Sequence, residues 1–267
     1  MPEYNWQIDL AYEGTDYAGW QIQNNAHSVQ NVLNDALNKL FDQEIKTTGC
    51  SRTDAGVHAL DQKVSMTPPE KPLIPAHRAI KAVNNFLPDD IKILNISERP
   101  LDFNSRFAAK AKVYTYLIHR GNIKSPFLHR FCWEIWKDLD LNKMKECAEA
   151  FIGKHDFAAF TVTARNQDVK DTNRLIYRID FKEYDNILAI SICGESFLYK
   201  MVRRMVGFMV EAGLGRFSVD DLNDCFENPS RELLYYTAQS KGLFLEKVFF
   251  DESHEEYKSS KLPFLIL

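Results

Sequence analysis

The chain has 267 residues, 45% of them hydrophobic and 26% charged, with a formal net charge of −4 at pH 7. These are ordinary globular values that exclude disordered and fibrous classes. No apolar run approaches the roughly 18 residues of a membrane-spanning helix. The opening Met1-Pro2-Glu3-Tyr4-Asn5-Trp6 has no basic stretch followed by an apolar one, so a cytoplasmic protein that is neither secreted nor membrane-bound is expected.

At this length a split into two compact units is expected. The five cysteines (Cys50, Cys132, Cys147, Cys193, Cys225) are scattered without C-x-x-C spacing, which points to reduced thiols rather than zinc or a redox pair. The acidic total hides an uneven distribution. Residues 106–130 carry six Lys or Arg and no acid, and 196–210 carry Lys200, Arg203 and Arg204 with no acid. Such stretches fit either solvated faces or a surface for nucleic acid, because binding depends on local rather than total charge.

In chain order, residues 7–13 alternate around Ile8, Leu10 and Tyr12 and read as a strand ending at Gly14. Ser28 is a candidate N-cap for a helix whose Val29, Val32, Leu33, Ala36, Leu37, Leu40 and Phe41 recur at helical spacing. Short strands are expected at Ile45–Thr48, Gln62–Met66 and Ile91–Ile96, with a helix near Ala76–Asn85 stopped before Pro88. A helix over Leu141–Ile152 is capped by Asp140 and ended at Gly153, and strands follow at Leu175–Phe181 and Ile187–Cys193. A long helix then carries Leu198, Met201, Val202, Met205, Val206, Met209 and Val210 as a core stripe and ends at Gly213 and Gly215. The plan is an α+β fold of two similar lobes, 1–105 and 106–267, each a mainly antiparallel sheet with helices on one face and an active cleft between them.

The densest polar cluster is Cys50-Ser51-Arg52-Thr53-Asp54-Ala55-Gly56-Val57-His58. It fits a functional loop, but on pattern alone a routine Asp-Ala-Gly turn is the favoured reading. His58 without a visible partner reads as structural. In Lys112-Val113-Tyr114-Thr115-Tyr116-Leu117-Ile118, period-two alternation puts Lys112, Tyr114, Tyr116 and Ile118 on one strand face. That face suits an unstacked base on a ring with cations at phosphate, or an ordinary half-buried strand. Arg203 borders the apolar helix stripe and Arg204 is expected to point further out.

Five segments, in order, resemble the TruA family of tRNA pseudouridine synthases: Tyr12-Glu13-Gly14-Thr15-Asp16-Tyr17-Ala18-Gly19-Trp20-Gln21-Ile22-Gln23, Arg52–Ala59, Phe103–Phe107 leading to Tyr114-Thr115-Tyr116, Gly153–Phe157, and Phe197–Arg203. The resemblance implies a cofactor-free and metal-free isomerase acting on uridines 38, 39 and 40 of the tRNA anticodon stem-loop, as a homodimer. It assigns Asp54 as the nucleophile and Tyr114 as the residue that stacks on the target base, whose hydroxyl could take part in proton transfer. Arg203 becomes the ion-pair partner of Asp54, and Arg52 an aid to base flipping. Asp61 stands where the family favours glycine, Lys200 where asparagine or histidine is common, and Gln239 where proline is common. Two other readings compete: a non-catalytic RNA-binding protein, and an aspartate-nucleophile glycosyl hydrolase or transferase. The latter usually shows a second acid, and no motif supplies one beside Asp54.

Overall fold

The computed structural model describes residues 4–69, 74–162, 171–228, 236–259 and 261–263. In chain order the elements are β1 (Tyr4–Tyr12), α1 (Val29–Phe41), β2 (Thr48–Gly49), β3 (His58–Met66), α2 (Ala76–Asn84), β4 (Ile91–Pro100), α3 (Ser105–Ala108), β5 (Ala111–His119), β6 (Trp133–Glu134), α4 (Leu141–Phe151), β7 (Gly153–Asp156), β8 (Asn173–Tyr184), β9 (Ile187–Gly194), α5 (Met201–Gly213), α6 (Val219–Glu227) and β10 (Leu243–Phe249). The fold is α+β with mostly antiparallel strand pairing, as expected. Two compact units emerge: residues up to Lys110 joined by Phe244–Asp251, and Ala111–Leu243 joined by Glu252–Leu262. A division at 105/106 therefore leaves Arg106–Lys110 and most of β10 on the wrong side, because β10 returns to pair in parallel with β3 at Phe244↔His58 and Leu245↔Ala59.

In the first unit β1 runs between β4 and β3, antiparallel to both. Side-chain alternation gives its sheet two different faces. Trp6, Ile8 and Leu10 stand opposite Met66, Val64 and Gln62 of β3, and Trp6 meets Phe41 of α1 at 6.0 Å between ring centroids. Burial of each such side chain contributes about 1.5–3 kcal/mol before the entropy of ordering it. α2 is tied to β4 by Asn84, which donates to the Ile93 carbonyl at 2.9 Å and accepts its N–H at 2.8 Å.

The other face is polar yet covered. Lys63 reaches Asp61 at 2.7 Å and Asp9 at 2.9 Å. Gln7 donates to Asp9 at 2.7 Å and accepts from Arg99 at 2.9 Å, and Lys247 of β10 lies 3.5 Å from Asp61. Burial favours the neutral amine of Lys63, but Asp61 and Asp9 outweigh it and raise its pKa above the ordinary lysine value. Asp61 also accepts the Val248 N–H at 3.0 Å, so the carboxylate at this departure from the family pattern ties β10 to β3 where their ladder stops.

The second unit orders its strands β5-β9-β8-β7, antiparallel throughout, with β6 parallel to β5 at Ile118↔Trp133. β8 and β9 form a hairpin with Asp185 at φ 49 in its turn. An aromatic cluster of Phe151, Phe157, Phe160, Phe208 and Phe226 joins α4, α5 and α6, with ring centroids 5.1–6.3 Å apart.

Ser28 and Asp140 cap α1 and α4 as read. The strand expected at Ile45–Thr48 shrinks to Thr48–Gly49. α1 side chains capture the backbone before it: Asn38 accepts the Ile45 N–H at 2.6 Å and Gln30 donates to the Thr47 carbonyl at 2.8 Å. The long helix starts at Met201 rather than Leu198, because Lys200 takes a left-handed φ of 61 that breaks the helical path.

Candidate active site

The cluster at 50–58 is a loop, running into β3 at His58, that mixes buried and exposed side chains. Ser51, Thr53 and Val57 are buried, Arg52 is exposed and Asp54 is half-exposed. A tight turn follows the aspartate: the Val57 N–H donates to the Asp54 carbonyl at 3.2 Å, with Gly56 at φ 76. On the entry side the Gln62 amide bonds both backbone groups of Ser51, accepting its N–H at 3.1 Å and donating to its carbonyl at 2.7 Å. A side chain thus replaces a missing strand partner, and the buried polar backbone stays satisfied.

The segment 12–20 braces the same loop from the other side. The Tyr12 and Thr53 hydroxyls are 2.8 Å apart, the Trp20 N–H donates to the Thr53 carbonyl at 3.2 Å, and the Gly56 N–H donates to the Tyr17 carbonyl at 3.3 Å. Two glycines permit the approach. A Cβ on Gly14 would sit 2.0 Å from the Val57 carbonyl oxygen, and one on Gly19, at φ +92, would sit 2.4 Å from that of Thr53. The Tyr17 hydroxyl donates to Asp90 at 2.7 Å; burial first, and then that carboxylate, push its pKa well above the ordinary tyrosine value.

His58 belongs to this brace. Its Nδ1 accepts the Gly14 N–H at 3.0 Å and lies 3.4 Å from the Glu13 carboxylate, and its buried ring stacks on Phe244 at 4.6 Å, so it holds the loop. Reading this histidine as structural fits that geometry. The bracing roles of Tyr12, Tyr17 and Gln62 are not legible from their own positions in sequence. The only local signal was the glycine spacing of 14 and 19, since a glycine that cannot be replaced marks close backbone approach.

Tyr114, Tyr116 and Arg203 lie in the second unit. Tyr114 on β5 is buried and meets Phe197 edge-on at 5.2 Å. Of the two readings of the face over Lys112, Tyr114 and Tyr116, the ordinary strand fits Tyr116, which is fully buried and donates its hydroxyl to the Gln239 carbonyl at 2.7 Å. Strand alternation places these residues on one face, but what covers that face is decided elsewhere in the chain.

Arg203 on α5 is half-buried and donates Nε–H to the Ala238 carbonyl at 2.8 Å, while the Ala238 N–H donates to the Arg203 carbonyl at 3.1 Å. Arg204 does not point outward. It donates to the Ala159 and Thr161 carbonyls at 3.2 and 2.8 Å, and burial lowers its pKa, so it ties α5 to the turn after β7. Gln239 holds φ −58, the angle proline fixes, so its departure from the family leaves the backbone path intact.

Among the described residues, Glu252, His254 and Glu255 bring ligand atoms within 4.8 Å of one another. The group lies in the second unit, whereas Arg52 and Asp54 lie in the first.

A family model described as tRNA pseudouridine synthase matches residues 10–108 and 147–251, which include Arg52, Asp54 and Arg203 and pass over Tyr114. Three curated proteins are similar over nearly their whole length. The tRNA pseudouridine synthase A of Ruminiclostridium cellulolyticum is 37% identical over 91% of this chain and 98% of that protein. The tRNA pseudouridine synthase A 2 of Bacillus cereus is 34% identical over 92% and 100%, and the tRNA pseudouridine synthase A of a Thermoanaerobacter species is 36% identical over 92% and 99%. Among solved structures, a Cbf5-Nop10-Gar1 complex aligns at TM-score 0.37 and 12% identity, covering 90% of this chain and 57% of that one, too distant to carry an argument.

Proposed function

Because this chain belongs to the TruA family of tRNA pseudouridine synthases, isomerases that convert uridine to pseudouridine, we propose that it modifies uridines 38, 39 and 40 of the anticodon stem-loop with Asp54 as the attacking carboxylate. The observation that carries the reading is the burial pattern of the loop, where a half-exposed Asp54 follows the buried, hydrogen-bonded Thr53 and is closed in a turn by the buried Val57. A merely local turn residue needs no such bracing from a segment some 40 positions away, whereas a nucleophile must be held within a few tenths of an ångström of its target.

The reaction breaks the bond from ribose C1′ to uracil N1, turns the ring and joins C1′ to C5. The C5 proton leaves and N1 gains one, so atoms and redox state balance without a cofactor. A carboxylate can hold the detached uracil by adding to C6, or hold the ribose by engaging C1′. In this reading Arg203 supplies the countercharge once the base has displaced water from Asp54. Tyr114 stacks on the flipped base, and its hydroxyl helps to move the C5 proton. Extraction of the base costs a few kcal/mol, and stacking returns about 1–3 kcal/mol of it. Arg52, exposed beside Asp54, helps to draw the nucleotide out. The enzyme works as a cytoplasmic homodimer, which sedimentation at twice the chain mass would support and a monomeric mass would contradict.

Asp54→Asn keeps the shape and turn-forming hydrogen bonds of the residue but removes the charge and the nucleophilic oxygen. Single-turnover pseudouridine formation on tRNA, with enzyme in excess, should vanish while tRNA affinity and thermal midpoint stay near wild type. A rate within a few-fold of wild type would sink the assignment.

A further inference from the structure

From the contacts around residues 236–243 we infer that Tyr116 is a positioning residue for Arg203, acting through the main chain of Ala238 and Gln239. The inference rests on the proposed role of Arg203 and goes beyond it, since it concerns what holds the guanidinium in place. Tyr116 is the second tyrosine of the Tyr114-Thr115-Tyr116 segment, and the reaction chemistry leaves it without a part.

The segment is clamped from both sides. On the helix side, the Arg203 Nε–H donates to the Ala238 carbonyl and the Ala238 main-chain N–H donates to the Arg203 carbonyl, and a Cβ on Gly207 would sit 2.0 Å from the Tyr236 carbonyl oxygen. On the strand side, the Tyr116 hydroxyl donates to the Gln239 carbonyl at 2.7 Å, and a Cβ on Gly242 would sit 2.7 Å from the Tyr116 ring. Lys241 adds an ion pair to Glu134 at 2.6 Å. The carbonyl that receives the Arg203 Nε–H therefore neighbours the one that receives the Tyr116 hydroxyl, along a stretch with no slack.

Burial holds the Tyr116 hydroxyl in its protonated, donating form at any working pH, even with the opposing charge of Arg203 nearby. Removal of the hydroxyl leaves the Gln239 carbonyl short of a donor, and the segment must shift to find another. The guanidinium, bonded to the adjacent residue, shifts with it.

The test is a double-mutant cycle on single-turnover pseudouridine formation, with tRNA affinity and thermal midpoint measured for every variant. Tyr116→Phe should slow the rate about tenfold with tRNA affinity unchanged. Arg203→Lys, which keeps the charge but loses the planar fork, should slow it more, and Tyr116→Phe should add nothing in that background. A Tyr116→Phe rate equal to wild type, or effects that multiply in the double variant, would overturn the inference and leave the role of Arg203 standing. An Arg203→Lys rate equal to wild type would overturn both. Should Tyr116→Phe fold poorly, Lys241→Gln loosens the same segment from a half-exposed position. It must then show a smaller loss that also disappears in the Arg203→Lys background, and a loss that persists there refutes the inference.

Discussion

Gly19→Ala tests whether the segment 12–20 truly sets the position of Asp54. The new Cβ would lie 2.4 Å from the Thr53 carbonyl oxygen and 3.0 Å from the Asp54 carbonyl carbon, at a φ of +92 that side chains rarely adopt. Backbone strain of about 1–2 kcal/mol adds to an overpacking cost of about 1–3 kcal/mol, for a total near 3 kcal/mol. At about 2–4 °C per kcal/mol for a chain of this size, the thermal midpoint should fall by about 10 °C. If the backbone yields instead, Thr53 must retreat by roughly 1 Å to reach ordinary contact. A misplacement of that size beside a nucleophile costs on the order of 100-fold in rate. Thermal melts paired with single-turnover assays read both outcomes. Gly215→Ala is the control, because its φ of +75 imposes similar strain while the nearest atom to its Cβ is the flexible Lys143 Nζ at 3.9 Å. It should lose about 1 kcal/mol and keep its rate. If Gly19→Ala matches Gly215→Ala in both melting and rate, the bracing argument fails.

Lys200→Asn should raise stability by up to about 1 kcal/mol in urea unfolding, since asparagine tolerates the left-handed φ of 61 that lysine occupies under strain, and a loss would contradict this. Lys63→Met should cost about 3 kcal/mol by leaving Asp9 and Asp61 without their shared cation. The folded pKa of Lys63 is raised, so its stabilisation is complete below the ordinary lysine value and fades as pH rises through the folded one; wild type should lose stability more steeply than Lys63→Met at strongly alkaline pH. RNA affinity should fall steeply with salt, and Lys124→Ala, at an exposed position, should reduce the slope of log affinity against log salt by about 1. Arg204→Ala should instead destabilise the fold, because its donors serve main-chain carbonyls, and a purely RNA-binding defect there would count against this structure.

The sequence by itself determined what depends on near neighbours. Helical spacing and a capping serine or aspartate mark α1 and α4, because caps and amphipathic stripes are settled within a turn or two of chain. The loop at 50–58 stood out because it gathers Arg52, Asp54 and His58 around a permissive glycine. Elements without a local alternation or spacing of their own were not legible. β10 shows no clean alternation, since its burial comes from parallel pairing with β3 some 180 positions earlier, and the two-residue β2 exists only as an addition to that strand. The start of α6 is by contrast a local feature, a capping box between Ser218 and Asp221.

The same boundary runs through the candidate site. Alternation could place Tyr114 and Tyr116 on one face, but only the approach of Gln239 and Gly242 makes Tyr116 a buried donor. Helical spacing could separate Arg203 from Arg204, but only the carbonyls of Ala159 and Thr161 turn Arg204 inward. Tertiary structure decided these matters because burial and hydrogen-bond partners are supplied by remote segments, and no local rule carries the position of an atom that another part of the chain must bring.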